Sequence, residues 1–240
     1  MKPVLLNNID HATLRVAIRG GAAHGDAVNQ LPLFPSEFEA AQRCFPIVFR
    51  RGEEGIQAYA LLGLDHDENL FLEGDRWTSA YVPAIQRRGP FSIGLNRAHA
   101  DGDAGGGPMI FIDLDDPRVG AADGLPVFLE HGGNAPLLDH IADLLRVLYE
   151  GMEHAPEIYA AFENAGLLQP ISLQISLNEE EGYEVPDLMV IDQEALAALS
   201  GDALETLHRS GLLRAAIMAA SSLGNVQSLI DLKNRKQAAA

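Results

Sequence analysis

The chain has 240 residues, enough for one large domain or two small ones, and its 47% hydrophobic content can supply a substantial core. A formal net charge of −17 excludes the basic surface that general nucleic-acid binding requires and opposes adsorption to anionic membranes. The single cysteine, Cys44, excludes an internal disulfide and a Cys-based zinc site. Neither a signal-peptide pattern nor a run of about 18 apolar residues is visible, so we expect a cytoplasmic protein without membrane insertion.

The first half of the chain is predicted to be rich in β-strands. A short helix over residues 35–44 interrupts it, since Pro35 and Ser36 open the segment and acidic residues follow them. Turn residues such as "GEEG" separate the strands. The predicted strands share runs or alternations of apolar residues and are "HATLRVAIR", "FPIVFRR", "IQAYALLGL", "NLFLE", "PFSIGLNR", "PMIFIDLDD" and "LPVFLE".

The second half is predicted to be helical with one β-hairpin. Asn134 and Pro136 begin a helix whose leucines recur at helical spacing, and "APEIYAAFENAG" is a second helix ending at Gly166. A hairpin over residues 171–191 follows, then two short helices and one long helix over residues 212–236. This order predicts an α+β fold with a mostly antiparallel sheet, as a single domain over residues 1–240 that is β-rich over 1–131 and helical over 132–240.

Several segments together resemble the SapC family of bacterial proteins. They are "NQLPLFPSEFEAAQRCFPIVF", "ALLGLDHDENLFLEGDRWTSAYVPAIQRRGPF" and "LHRSGLLRAAIMAASSLGNVQSLIDLKNR". They occur in the family's order: a Pro-containing apolar segment before "PIVF", then "LLGL", "NLF", "RW", "YVPA" and "RR-x-PF". A Ser-Leu-x-Asn segment and a Lys-containing tail end the match. The Gly-rich segment "HADGDAGGG" departs from this pattern as an insertion.

The resemblance implies a biological setting and no reaction. The family takes its name from a link to bacterial surface-layer proteins. The resemblance also implies that its genes lie near those of TonB-dependent receptors, flavin-dependent halogenases and cupin-like oxygenases. This is an association and not a mechanism.

The segment from Glu68 to Leu95 supplies the candidate binding residues. Arg and aromatic side chains are enriched at binding hot spots, and Arg grips carboxylates and phosphates with two parallel hydrogen bonds. We predict a single groove in which at least two arginines reach solvent. The residues that line it are Arg76, Trp77, Tyr81, Arg87 and Arg88. The plainer alternative is that the aromatic residues pack in the core.

His99 and Asp101 are spaced like part of a two-histidine, one-carboxylate iron site. The second histidine would come from His131, His154 or His208. Against this, the pair lies in the Gly-rich segment 99–107, which predicts a mobile loop without bound metal. "DHDEN" (65–69) likewise resembles part of a carboxylate metal loop, but turn residues explain it better.

Two functional hypotheses follow. The sequence favours a non-catalytic accessory or binding protein that recognises a peptide or partner protein, with no catalytic residue and no cofactor, and with its oligomeric state open. The alternative is an iron- and 2-oxoglutarate-dependent, cupin-like oxygenase or a degenerate relative that uses His99 and Asp101 as metal ligands.

Overall fold

The computed structural model describes residues 3–95, 108–176 and 182–238. The chain separates into two compact units. Unit 1 contains Met1–Gly20 and Gln86–Glu150, and unit 2 contains Gly21–Ile85 and Gly151–Ala240. The prediction of a single domain over residues 1–240 stays a prediction.

The strands and helices of the described residues follow the predicted order of a β-rich part before a helical part. The strands are β1 (Pro3–Leu5), β2 (Arg15–Val16), β3 (Gln30–Leu33), β4 (Ile47–Gly52), β5 (Gly55–Leu61), β6 (Leu72–Glu73), β7 (Arg76–Trp77), β8 (Phe91–Leu95), β9 (Pro108–Asp113), β10 (Leu125–Pro126), β11 (Leu168–Ser176) and β12 (Gly182–Ile191). The helices are α1 (Phe38–Ala41), α2 (Ala84–Arg87), α3 (Pro136–Asn164), α4 (Gln193–Ala197), α5 (Gly201–Arg209), α6 (Leu212–Ser222) and α7 (Val226–Ala238). The fold class is α+β, as predicted.

Unit 1 contains a three-stranded sheet with strand order β1-β9-β8 and a two-stranded ribbon of β10 and β2. Both are antiparallel, and β1 begins with Pro3 opposite Asp113. The predicted strand over residues 11–19 is reduced to the two residues of β2. One reason is that the Asn7 side chain accepts hydrogen bonds from the Ile9 and Asp10 amides, which favours a turn just before this segment.

Unit 2 contains a five-stranded antiparallel sheet with strand order β11-β12-β4-β5-β3 and a small hairpin of β6 and β7. The predicted hairpin around "GEEG" is present, with Gly52 opposite Gly55. The predicted late hairpin is also present and begins at Leu168. The predicted antiparallel strands form separate sheets, since the late hairpin completes the sheet of β3, β4 and β5 while β8 and β9 belong to another sheet.

Phe49 on β4 is the centre of the aromatic core of unit 2. Its ring meets the rings of Phe38, Tyr159 and Phe162 edge-on, at centroid distances of 6.3, 5.6 and 6.3 Å. All four side chains are fully buried. Edge-to-face contacts of this kind add roughly 0.5–1.5 kcal/mol beyond area burial. This cluster packs β4 against α1 and the second half of α3.

Helix α3 is one continuous helix where the sequence predicted two. Pro156 lies inside it and removes one backbone hydrogen bond. Ala155 and Tyr159 are buried, whereas Pro156 and Met152, the residue one turn earlier, are exposed. The buried stripe therefore continues past the proline. Gly166 then ends the helix as predicted, in the left-handed conformation at φ 68°.

The predicted long C-terminal helix is divided into α6 and α7 by a 3₁₀ turn over Leu223–Asn225. Gly224 weakens the helix there, and the Asn225 side chain is used elsewhere. Its amide nitrogen donates to the carbonyl oxygens of Gln42 and Phe45, at 2.8 and 3.1 Å. No helix of the described ranges combines the length and apolar character needed to cross a membrane.

The fold predicts an unusual response at Gly151 in the middle of α3. A glycine-to-alanine change inside a helix normally stabilises it by about 1 kcal/mol. Here an added Cβ would lie 2.7 Å from the Cβ of buried Phe34 and 2.8 Å from its Cγ. We expect Gly151→Ala to lower the free energy of unfolding by about 1–3 kcal/mol, because the added atom overpacks a filled contact.

Gly224→Ala is the matched control in a chemical denaturation experiment. A Cβ added at this position would have no atom within 4 Å, so this variant should be neutral or more stable by up to about 1 kcal/mol. Equal stabilisation of both variants would contradict the packing of α3 on Phe34.

Candidate functional site

Arg76 and Trp77 lie on the β6–β7 hairpin of unit 2. The turn places Gly74 at φ 59°, a conformation that glycine adopts without strain. Leu72 is opposite Trp77 and Glu73 is opposite Arg76. Because neighbouring strand residues point to opposite faces, Arg76 and Trp77 present their side chains on different sides of the hairpin. Arg76 is exposed, and its side chain forms no hydrogen bond or ion pair with the described residues.

Tyr81 is held by a buried carboxylate of the same unit. Glu37 is only 4% exposed, and its Oε1 accepts hydrogen bonds from the Tyr81 hydroxyl at 2.7 Å and the Ala84 amide at 2.8 Å. Its Oε2 accepts from the Phe34 amide at 3.1 Å. Burying a carboxylate is costly unless donors surround it, so these bonds are required where Glu37 stands. Tyr81 therefore has a structural partner.

Arg87 and Arg88 belong to unit 1. Arg87 is exposed, whereas Arg88 is half-buried and donates to the carbonyl oxygen of Phe91 at 2.8 Å. Burial lowers the pKa of Arg88 below its ordinary value, and the charge of Arg118 lowers it further. Arg118 is itself buried and forms two hydrogen bonds with Asp116, at 2.9 and 2.6 Å.

The five predicted binding residues are thus divided between the units, with Arg76, Trp77 and Tyr81 in unit 2 and the other two in unit 1. Arg76 and Arg87 both reach solvent, as expected for at least two of the arginines. That all five line one groove stays a prediction. The buried role of Glu37 was not predicted, because its place in "FPSEFE" indicates only the first turn of a helix.

The SapC family profile matches residues 6–229, nearly the whole chain. The chain belongs to the SapC family. No curated protein and no solved structure matches it.

The Ser-Leu-x-Asn segment of this SapC protein ties the C-terminal helices to the start of β4. The Ser222 hydroxyl accepts from the Ile47 amide at 2.8 Å and donates to the Ala219 carbonyl oxygen at 2.6 Å. Together with the bonds of Asn225 to Gln42 and Phe45, it pairs the backbone on both sides of Pro46. Two motifs that are far apart in the sequence therefore meet in one structural contact.

The Lys-containing tail forms a second internal tie that the sequence did not predict. The side chain of Lys233 is 7% exposed, and its Nζ lies 2.5 Å from Oδ2 of Asp65 and 2.9 Å from Oε1 of Glu68. Nζ also lies over the ring of Tyr183, 5.2 Å from the centroid. Asp65 and Glu68 were predicted to be turn residues, and a sequence gives no measure of their distance from a lysine far along the chain.

The pKa of Lys233 reflects the balance of these contacts. Burial alone would lower it, but the hydrogen bonds to Asp65, Glu68 and Tyr183 outweigh burial and raise the pKa above its ordinary value of 10.5. The folded protein therefore keeps this lysine charged, which is what two neighbouring carboxylates require.

The proposed iron ligands His99 and Asp101, and the loop 99–107, lie outside the described residues. His131, His154 and His208 are within the described ranges. Among all the residues described, no group of three His, Cys, Asp or Glu side chains is arranged to hold a metal ion.

Removal of the Lys233 charge tests the internal tie. Lys233→Met should lower the free energy of unfolding by roughly 2–4 kcal/mol, because it removes the buried cation that donates hydrogen bonds to the largely buried Glu68 carboxylate. Chemical denaturation at pH 7 measures this. Lys236→Met is the control, since Lys236 is 56% exposed and 3.7 Å from the same carboxylate, and it should cost at most about 1 kcal/mol.

The pH dependence of the same difference gives its signature. A pKa raised in the folded state stabilises the protein fully below the unfolded value, and this contribution is lost as pH rises. The stability gap between the original protein and Lys233→Met should therefore narrow above pH 10.5. A gap that is equally small for both lysine variants at pH 7 would refute the tie.

Proposed function

We propose that this SapC protein is a non-catalytic accessory or binding protein that recognises a peptide or a partner protein. The observation that supports the proposal is the exposed Arg76, which pairs with no described residue and adjoins the half-buried Trp77. Exposed Arg and aromatic side chains are the types that dominate binding hot spots. The β6–β7 hairpin is the contact element in this proposal.

The contrast between Arg76 and the other polar residues of the family segments gives further support. Glu37, Ser222 and Lys233 are buried and form hydrogen bonds inside unit 2. Their polar groups bond to the backbone and to other side chains of unit 2, so these groups explain packing and not recognition. The Arg76 side chain, by contrast, forms no such bond with the described residues.

Arg87 is the second exposed arginine of the candidate set, and it supplies a comparison point in unit 1. In the proposal Arg76 is the contact residue of unit 2, and Arg87 is a separate candidate contact residue of unit 1. An anionic or peptidic group would suit them, because each guanidinium can form two parallel hydrogen bonds with a carboxylate.

Site-specific photo-crosslinking in living bacteria tests the proposal. A photoreactive residue at position 76 should give a discrete adduct, and one at position 87 tests the candidate residue of unit 1 separately. The control position is Arg209, which is also exposed, on α5, and pairs only with Glu205 of its own helix among the described residues. It should give no such adduct.

Purified protein then measures the energy of the contact. Arg76→Ala should weaken binding of the identified partner by about 10-fold or more, as expected for a hot-spot arginine, with Arg209→Ala unchanged. The same adduct from positions 76 and 209, or none from position 76, would contradict the proposal. No adduct from position 87 would remove Arg87 alone from the proposed contact residues.

The oxygenase alternative stays a prediction, as does the cytoplasmic location. Metal analysis of the purified protein separates the two functional hypotheses. Near-stoichiometric iron that is lost in His99→Ala would favour the oxygenase over a non-catalytic protein.

A further inference from the structure

Unit 1 contains a cavity of about 350 Å³ that none of the predicted binding residues lines. Strands β1 and β9 form one side of it, where the Leu6 amide donates to the Ile110 carbonyl oxygen at 2.9 Å. The turn over residues 128–134 and the first turn of α3 form the other side. The apolar lining consists of Leu5, Leu6, Met109, Ile110, Phe128 and Leu138, with Pro108 beside them. A cavity of this volume accommodates one or two large apolar side chains.

The lining contains no Asp, Glu, Lys, Arg or His, in a chain of net charge −17. The carboxylates of Asp10 and Asp139 lie instead at the border of the cavity. Asn7 and Asn134 line the cavity, and their side-chain amides donate to Asp10 at 3.0 Å and to Asp139 at 3.1 Å. Both aspartates are exposed, and neither forms an ion pair with any residue of the described ranges. Two uncompensated negative charges therefore flank an uncharged cavity that is lined by apolar side chains and by three asparagines.

Exposed aliphatic side chains also lie in the two turns that border the cavity. Ile9 is 84% exposed and lies between Asn8 and Asp10, while Leu129 is 52% exposed and follows Phe128. Aliphatic side chains left in water beside an apolar cavity are typical of a binding surface. Their position extends the apolar surface from the cavity to its rim.

We propose that this cavity binds a peptide segment that places a large apolar side chain in the cavity and a Lys or Arg beside it. The apolar side chain would displace water from Leu5, Ile110 and Leu138, which the hydrophobic effect favours. The cationic side chain would pair with Asp10 or Asp139, which the two asparagines hold in place. The inference needs neither Arg76 nor Trp77, so it stands or fails separately from the proposed hairpin contact.

Binding of defined peptides to the full chain tests the assignment by fluorescence anisotropy. The probe is a labelled, capped peptide that alternates Lys and Phe. One control peptide has Glu in place of Lys, and the other has Ala in place of Phe. We expect the probe to bind about 10-fold or more tightly than either control, because each control lacks one of the two contacts.

Variants of the chain locate the binding. Asp10→Asn with Asp139→Asn should weaken probe binding about 10-fold, and its salt dependence should fall, since two exposed charges are removed. Asp67→Asn with Asp202→Asn is the matched control, because it removes the same charge from exposed positions in unit 2 and should change affinity less than about 2-fold. Met109→Trp, which fills the cavity from a half-buried position, should abolish the preference for Phe over Ala.

Several outcomes would overturn the inference. Equal weakening by the two aspartate pairs would mean general attraction to an acidic surface. Equal binding of the Phe and Ala peptides would mean that the cavity is not used. An alkyl amine that binds as tightly as the probe would assign the cavity to a small amine and not to a peptide. Thermal unfolding of each variant confirms that the measured chain is folded.

Discussion

The structure of unit 2 depends on the buried carboxylate of Glu37. A buried charge without partners would cost several kcal/mol, so the surrounding chain must supply donors. The Phe34 amide, the Tyr81 hydroxyl and the Ala84 amide meet this need, and in the sequence Phe34 precedes β4 and β5 whereas Tyr81 and Ala84 follow them. One carboxylate therefore fixes the start of α1 relative to the "YVPA" segment that follows the β6–β7 hairpin.

The same physical rule accounts for the other polar residues of the SapC segments. Ser222 and Asn225 satisfy backbone groups around Pro46, and Lys233 satisfies Asp65 and Glu68. Each contact joins segments that are distant in sequence, and each is inside unit 2. The main role of these polar residues is therefore to stabilise the fold. What remains at the surface of the same segments, chiefly the β6–β7 hairpin with Arg76, supports the proposed contact with a partner.

Local signals predicted much of the fold. The "GEEG" hairpin, the short helix after Pro35 and the end of α3 at Gly166 all follow from turn and capping chemistry that acts over a few residues. The errors came from non-local effects. Helix α3 continues through Pro156, which lies on the exposed face of the helix. The C-terminal helix is divided where the Asn225 side chain bonds to a distant loop. The Lys233 contacts and the Glu37 contacts could not be predicted, since both depend on distances that spacing along the chain does not give.

Amide hydrogen exchange at Ala84 tests the organising role of Glu37 most directly. In Glu37→Gln the side-chain oxygen loses its charge, so the Ala84 amide should exchange about 10-fold faster or more, and the increase should exceed that of the β4–β5 amides. Glu39→Gln, at an exposed neighbouring position, should leave the Ala84 amide unchanged. An Ala84 amide that exchanges equally slowly in both variants would contradict the organising role of Glu37.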